Sequence, residues 1–329
     1  MRATGMQLVD PGKLNIDFMG QRRVAMAVTV ILLVLSLVGL AVRGLNFGID
    51  FTGGVLVEVG YEEAPSLQEV RGRLGEAGFE DALVQHFGSP REILIRIPPE
   101  HEDEGGEQIS TQVLAALGGS DVVEVRRVEF VGPQVGEELR EQGGLAVLFA
   151  LLGIMIYVAA RFEWRFAVGS VGALVHDVVL VLGVFAWLQL SFDLAVLAAI
   201  LAVIGYSLND TIVVYDRIRE NFVNIRKATP VKTVNLSVNQ MLSRTIVTSG
   251  TTLLVLLSLY LLGGEVMRGF SLALIVGVVV GTYSSIYVAS ALALALGISK
   301  RDVMPRQVDK GEGKTGVEDD EPTTPPPAA

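Results

Sequence analysis

Asp210 is the residue in this sequence that most needs a chemical explanation. It stands in Gly205-Tyr206-Ser207-Leu208-Asn209-Asp210-Thr211-Ile212-Val213-Val214-Tyr215-Asp216-Arg217, inside the fourth long apolar run of the chain. A charge at membrane depth costs several kcal/mol, so a chain keeps one mainly where it works or finds a partner. Desolvation pulls such a carboxyl towards its neutral form, and an approaching Arg pulls it towards the charged one. A group held between the two can load and release a proton. Asn209, Ser207, Thr211 and Tyr206 offer donors and acceptors around it, and Gly205 suits a backbone that bends. A static salt bridge or hydrogen bond between helices is the competing reading.

Other charged groups in or near the apolar runs carry weaker claims. His176 and Asp177 lie in the third run, either on a proton path or as polar glue between helices. Asp193 starts the fourth run, where water is expected to reach it. Asp216 opens a basic stretch and is expected to pair with Arg217, Arg219 or lipid headgroups. Arg244 enters the fifth run among hydroxyls, Ser243, Thr245, Thr248 and Ser249.

Other chemistries find no support in the sequence. His86, His101 and His176 lack metal-ligand spacing, and the chain contains no cysteine, so disulfides, thiolate zinc sites and iron–sulfur clusters are excluded. Gly311-Glu312-Gly313-Lys314-Thr315 imitates a phosphate loop, but Val308 stands where the first glycine belongs. No Ser-His-Asp set can be assembled. The expectation is a non-enzyme without cofactor or metal.

The elements that position these groups are membrane helices. The mean hydropathy is +0.50 over 329 residues. Six apolar runs are long enough to cross a bilayer, approximately 24–42, 144–160, 166–188, 194–215, 245–262 and 270–296. The first is read as a retained span rather than a cleaved signal, since no small-residue cleavage site follows it. Lys and Arg crowd one side: Arg2, Lys13, Arg22 and Arg23, then Arg161 and Arg165, then Arg217, Arg219, Arg226, Lys227, Lys232 and Arg244, and finally Lys300 and Arg301. Of the short opposite connections, the one after the third run has no Lys or Arg and the one after the fifth has only Arg268. By the positive-inside rule both termini are cytoplasmic, and residues 43–142 face outward.

Those outward residues hold eight Arg, no Lys and 20 Asp or Glu, a formal charge of −12. That argues against nucleic acid as a partner. An acidic soluble domain is the plain reading; one that repels or steers a charged client is the sharper one. The pattern from Val55 to Val131 reads strand, helix, strand, strand, helix, strand, a ferredoxin-like α+β order. Ser66 and Glu69 have capping-box spacing. The glycines of Asn46–Gly54 are read as a turn that plants the first strand on the membrane, and Gly132-Pro133 as a rigid turn or hinge leading through a short helix into the second span. Gly277 and Gly281 are read as helix packing. The expected organisation is thus a cytoplasmic segment 1–23, a span at 24–42, an outer domain at 43–142, a five-span bundle at 143–298 with a cytoplasmic loop over 216–244, and a disordered Pro-rich tail at 299–329.

Four stretches in order resemble the SecF-type proteins of the SecD/SecF family. They are Asn46-Phe47-Gly48-Ile49-Asp50-Phe51-Thr52-Gly53-Gly54; Phe130-Val131-Gly132-Pro133-Gln134-Val135-Gly136; Val203–Thr211 with Asp216–Asn221; and Gly263–Ser271 with Gly277–Ser285. The resemblance runs from about Ile16 to Ile298. It implies a member of the RND transporter superfamily with six spans and one periplasmic domain in the bacterial inner membrane, paired with a SecD-like subunit. Together they would use the proton-motive force to help preproteins leave the SecYEG channel, with YajC and YidC as further partners and lipids around the bundle. It further implies that Asp210 and Arg244, with Asn209, belong to the proton-coupling site, whose third acidic member comes from SecD. A small-molecule efflux subunit and a passive translocon scaffold remain alternatives.

Overall fold

A computed structural model describes residues 15–99, 106–225 and 228–299. The expectations for the N-terminal basic residues before 15, the acidic stretch at 100–105 with His101, Arg226, Lys227, the phosphate-loop mimic and the tail from Lys300 lie outside the described residues.

The chain opens with α1 (Arg22–Arg43), then β1 (Asn46–Phe47) and a single helical turn, α2 (Ile49–Thr52). An α/β unit follows: β2 (Gly54–Tyr61), α3 (Leu67–Glu76), β3 (Leu83–Phe87), β4 (Ser89–Ile97), α4 (Gly106–Ala116) and β5 (Val123–Val131). The long helices α5 (Pro133–Arg161) and α6 (Trp164–Leu188) precede β6 (Ser191–Phe192). Last come α7 (Leu194–Asn224), α8 (Pro230–Leu262), α9 (Gly264–Ser284), a π-helical turn (Ser285–Ala289) and α10 (Ser290–Ala295). Six helices are long and apolar enough to cross a membrane: α1, α5, α6, α7, α8 and the continuous Gly264–Ala295.

In the α/β unit the strand order is β3-β4-β2-β5, with all neighbours antiparallel. Successive side chains of a strand face opposite ways. Val55, Val57 and Val59 of β2 and Ile93, Ile95 and Ile97 of β4 therefore share one face, buried against Val70 and Leu74 of α3 and Ile109 and Val113 of α4. Ser66 is the N-cap of α3 but its side chain makes no cap bond. Glu69 turns instead to Arg73, 2.7 Å away at i+4.

Three small joints, besides the approach of Gly88 in the β3–β4 turn to Glu265 of α9, fasten this unit to the helices. β1 pairs in parallel with β6, Asn46 opposite Ser191 and Phe47 opposite Phe192. Gly53 (φ +73°) and Gly54 (φ +113°) turn the chain between α2 and β2. A Cβ on Gly53 would lie 2.7 Å from Pro133 Cα, and one on Gly136 would lie 2.8 Å from Gly53 N. The two glycine-bearing stretches of the sequence are thus halves of one backbone contact, and Gly132-Pro133 is the rigid start of α5, with Pro133 in its first turn. The third joint is Arg96 of β4. It donates to Asn46 Oδ1 (3.2 Å), the Phe47 carbonyl (2.9 Å) and Ser191 Oγ (3.2 Å).

The expected loop over 216–244 is corrected. α7 continues to Asn224 and α8 begins at Pro230, so most of that stretch is helix. Apolar runs mark membrane depth, not helix ends, and these helices project past the apolar layer. Asn221 Nδ2 donates to Ser237 Oγ (2.8 Å) and Gln240 Oε1 (2.8 Å), and Arg217 Nε also donates to Gln240 Oε1 (2.6 Å). Thr229 caps α8, accepting from Lys232 N. On the far side of α8, Asn239 grips the chain ahead of α1, accepting from Ile16 N (2.9 Å) and donating to its carbonyl (2.8 Å).

Candidate functional site

The site begins with the close approach of α9 to α7. A Cβ on Gly277 would lie 2.1 Å from Val203 Cγ2, and one on Gly281 3.1 Å from Ser207 Cβ. Only glycine lets the helices meet so closely, as the four-residue spacing of small residues implies. One turn further on, Ser284 and Ser285 are carried against α6 and α7.

Two buried carboxylates meet these serines. Asp210 is 8% exposed. Its Oδ1 accepts from Thr245 Oγ1 of α8 (2.7 Å) and its Oδ2 from Ser285 Oγ (2.5 Å). Asp177 of α6 is fully buried. Its Oδ2 accepts from Ser207 Oγ (2.5 Å) and Ser284 Oγ (2.8 Å), and its Oδ1 lies 2.8 Å from His176 Nδ1. His176 is 2% exposed, and its Nε2 has no partner among the described residues. α6 packs against α1, α5, α7 and α9, so two consecutive residues can both be covered.

The remaining candidates fall differently. Asn209 is exposed, a step round the helix from buried Asp210. Arg244 is also exposed, next in the chain to the Thr245 that holds Asp210, and it attracts that carboxylate without forming an ion pair among the described residues. Asp216 approaches Arg161 at 3.5 Å, not its chain neighbours, while Arg217 pairs with Glu220. α7 runs as unbroken α-helix past Gly205, and an irregular turn is in the last span, at Ser285–Ala289. There Tyr215 Oη donates to the Ala289 carbonyl (2.8 Å). π-turns inside helices concentrate at functional sites. Asp193 is only partly open to water: it caps α7, accepting from Val196 N (2.8 Å). Burial pushes its carboxyl above the ordinary range; the Val196 and Ala195 amides pull it down and the Asp50 charge pushes it up.

The sequence reads Ser284 and Ser285 only as the end of the Gly277–Gly281 packing motif and gives Tyr215 no role. The available signal was the pair of adjacent hydroxyls following the two small residues of the packing motif. Asp210, Thr245 and Ser285 come from three different helices, and nothing local in the sequence pairs them.

These features define a multi-pass membrane protein with an ionisable polar centre inside its bundle and one α/β insertion between its first two spans. Comparison with known proteins narrows the class. Residues 110–299 match the family described as protein export membrane protein SecD/SecF, C-terminal, and residues 38–65 match the SecD/SecF GG motif. The chain is 52% identical over 298 residues to the protein translocase subunit SecF of Vibrio alginolyticus, covering 90% of this chain and 94% of that one. It is 46% identical over 307 residues to the subunit of the same name from Escherichia coli O157:H7, covering 93% and 95%. The crystal structure of SecDF from Thermus thermophilus superposes with a TM-score of 0.79 at 42% identity, over 86% of this chain. The chain spans 39% of the length of that SecDF chain. The chain belongs to the SecD/SecF family of protein export membrane proteins, and within it is SecF-like.

Proposed function

We propose that this chain is the SecF-type half of a proton-driven accessory to protein export, working with a SecD-type subunit at the SecYEG channel. The observation that carries the reading is the setting of Asp210: buried, held by two hydroxyls and, among the described residues, no ion-paired cation, with the Arg244 charge at its edge. A hydroxyl donates to a carboxylate and accepts from a carboxylic acid. Thr245 and Ser285 therefore serve both protonation states, and Arg244 can favour the charged one by moving closer. Asn209 and Arg244 lie exposed on the flank of the bundle, where a second subunit would cover polar groups that lipid would not. Displacing one charge through the membrane potential supplies about 2.3 kcal/mol per 100 mV, enough to bias a two-state bundle.

The Lys and Arg distribution supports an inner-membrane protein with cytoplasmic termini. The α/β unit, whose element order and β3-β4-β2-β5 sheet fit a ferredoxin-like arrangement, then faces the periplasm and the emerging client. Its joints at Gly53–Pro133, β1–β6 and Arg96 are the route by which span movements reach it.

The test is translocation into vesicles holding the channel and the chain with its SecD-type partner, with and without an imposed proton gradient. Asp210→Asn should abolish the stimulation by the gradient and leave gradient-free translocation intact. Full stimulation in the variant would leave only a scaffold.

A further inference from the structure

We propose that His176 and Asp177 form a second proton-holding site, joined to Asp210 through the adjacent hydroxyls of Ser284 and Ser285, so that the last span registers the protonation of both. The proposal rests on the proton-coupled reading above and extends it to a second helix, α6.

The geometry is specific. Ser284 and Ser285 are consecutive, yet each donates to a different buried carboxylate, Asp177 and Asp210 respectively. They sit where α9 gives way to the π-turn, so the backbone joining them is the irregular segment of that span. Ser207 and Asp210 make the same division on α7: Ser207 donates to Asp177, and Asp210 accepts from Ser285. A change at either carboxylate thus pulls on two helices that also hold the other.

The imidazole supplies the port. With Asp177 taken as the carboxylate that accepts from Ser207 and Ser284, the hydrogen shared with His176 is assigned to Nδ1. Nε2 is then a lone pair, buried and without a partner among the described residues. Thr211 Oγ1, on the residue after Asp210, is likewise buried and unpartnered. Buried polar atoms of this kind are normally met by internal water. A proton delivered by water to Nε2 makes an imidazolium that keeps its Nδ1–H on Asp177, and a proton leaving Nε2 restores the neutral ring.

The surroundings are otherwise short of charge. α1 has no ionisable residue between Val24 and Val42. α9 brings Tyr283, whose ring centre is 6.4 Å from that of His176 and whose hydroxyl is engaged by Thr29 and the Ala25 carbonyl. The π-turn brings Tyr287, stacked on Tyr283. α7 brings Asp210 and Tyr215.

The experiment uses the reconstituted complex with its SecD-type partner and three variants beside Asp210→Asn. His176→Asn keeps a donor where Nδ1 stands and removes the Nε2 base. Asp177→Asn removes the carboxylate. Ser284→Ala leaves both proton holders and cuts one connection. Gradient-stimulated translocation is measured across pH, together with the pH-difference infrared spectrum of the complex. His176→Asn and Asp177→Asn should each lower gradient stimulation at least tenfold, with co-assembly and gradient-free translocation unchanged, and the parent spectrum should carry an imidazole protonation band, over and above that of His86 and His101, that His176→Asn lacks. Ser284→Ala should keep that signal and shift the pH profile of stimulation. If His176→Asn and Asp177→Asn retain full stimulation while Asp210→Asn abolishes it, the second site is wrong and the proton-coupled reading stands. If Asp210→Asn also retains it, both fall. Identical imidazole bands in the parent and His176→Asn, or variants that fail only by losing co-assembly, overturn the second site in favour of polar packing.

Discussion

The Tyr215 hydroxyl donates to the Ala289 carbonyl at 2.8 Å, binding the middle of α7 to the π-turn of the last span. Tyr215 is fully buried, and its ring packs on Phe166 at 4.6 Å between centroids. Tyr215→Phe would keep that packing and remove only the donor. The lost bond should cost about 1–2 kcal/mol in unfolding from mixed micelles, since a buried carbonyl is left unpaired. An unchanged unfolding curve would mean that the turn recloses into regular α-helix without the tyrosine.

Arg96 offers a test of how the α/β unit is held. Burial pushes its guanidinium below the ordinary range, and Asp193 and Asp50 oppose that shift. Its two terminal nitrogens reach three acceptors on β1 and β6. A lysine ammonium is a single point and cannot reproduce that fork. Arg96→Lys should therefore loosen the small sheet. The Gly48 amide, which donates to the Phe192 carbonyl at 2.8 Å, should exchange about tenfold faster or more, as the loss of charge-assisted bonds of about 1.5–3 kcal/mol implies.

The sequence marks six apolar runs and one carboxylate that needed a reason, and the six long helices and the burial of Asp210 follow from those. It could not say which neighbour of Asp210 shares the interior. Asn209 and Asp210 differ by one step round a helix, and the facing helices decide that Asp210 goes in and Asn209 stays out. It could not reveal that Ser284 and Ser285 divide two carboxylates between them, because that depends on how closely Gly277 lets α9 approach Val203. The helices running through 216–244 were hidden for another reason. There the helix ends pack through spaced apolar residues, Ile218, Phe222, Val234 and Val238, beside the polar contacts of Asn221, Ser237 and Gln240, and neither makes a continuous apolar run.

Asp193 gives stability a pH dependence of defined sign. Its carboxyl is raised by burial from an ordinary value of 3.8, and the hydrogen bond from the Val196 amide opposes that shift without reversing it. A group whose folded value is raised contributes stability fully below the unfolded value and loses it as pH rises through the folded one. Folded protein should thus lose stability from about pH 4 upward by this group's share. Asp193→Asn keeps an oxygen to cap Val196 N and has no charge to bury. Its apparent melting temperature should exceed the parent's above that window and meet it below. A parallel fall in both proteins across the window would assign the dependence elsewhere.

The contact of Gly53 with Pro133 and of Gly136 with Gly53 makes a prediction about coupling between mutations. At Gly136 an added Cβ would meet only backbone, Gly53 N at 2.8 Å, and backbone cannot swing aside as a flexible side chain does. Gly53→Ala carries two penalties, the same crowding against Pro133 Cα and a backbone held at φ +73°. Gly144, further along the same helix, has no atom within 4 Å of its Cβ position. Gly144→Ala should therefore stabilise by about 0.5–1 kcal/mol, the ordinary gain of alanine over glycine in a helix. Gly53→Ala and Gly136→Ala should each destabilise, and together cost less than their sum by about 0.5 kcal/mol or more, because once the joint has been prised open the second Cβ finds room. Strict additivity in unfolding measurements would mean that the two stretches do not share a contact in the folded protein, and the path from spans to α/β unit would then run through Arg96, β1–β6 and the approach of Gly88 to Glu265 of α9.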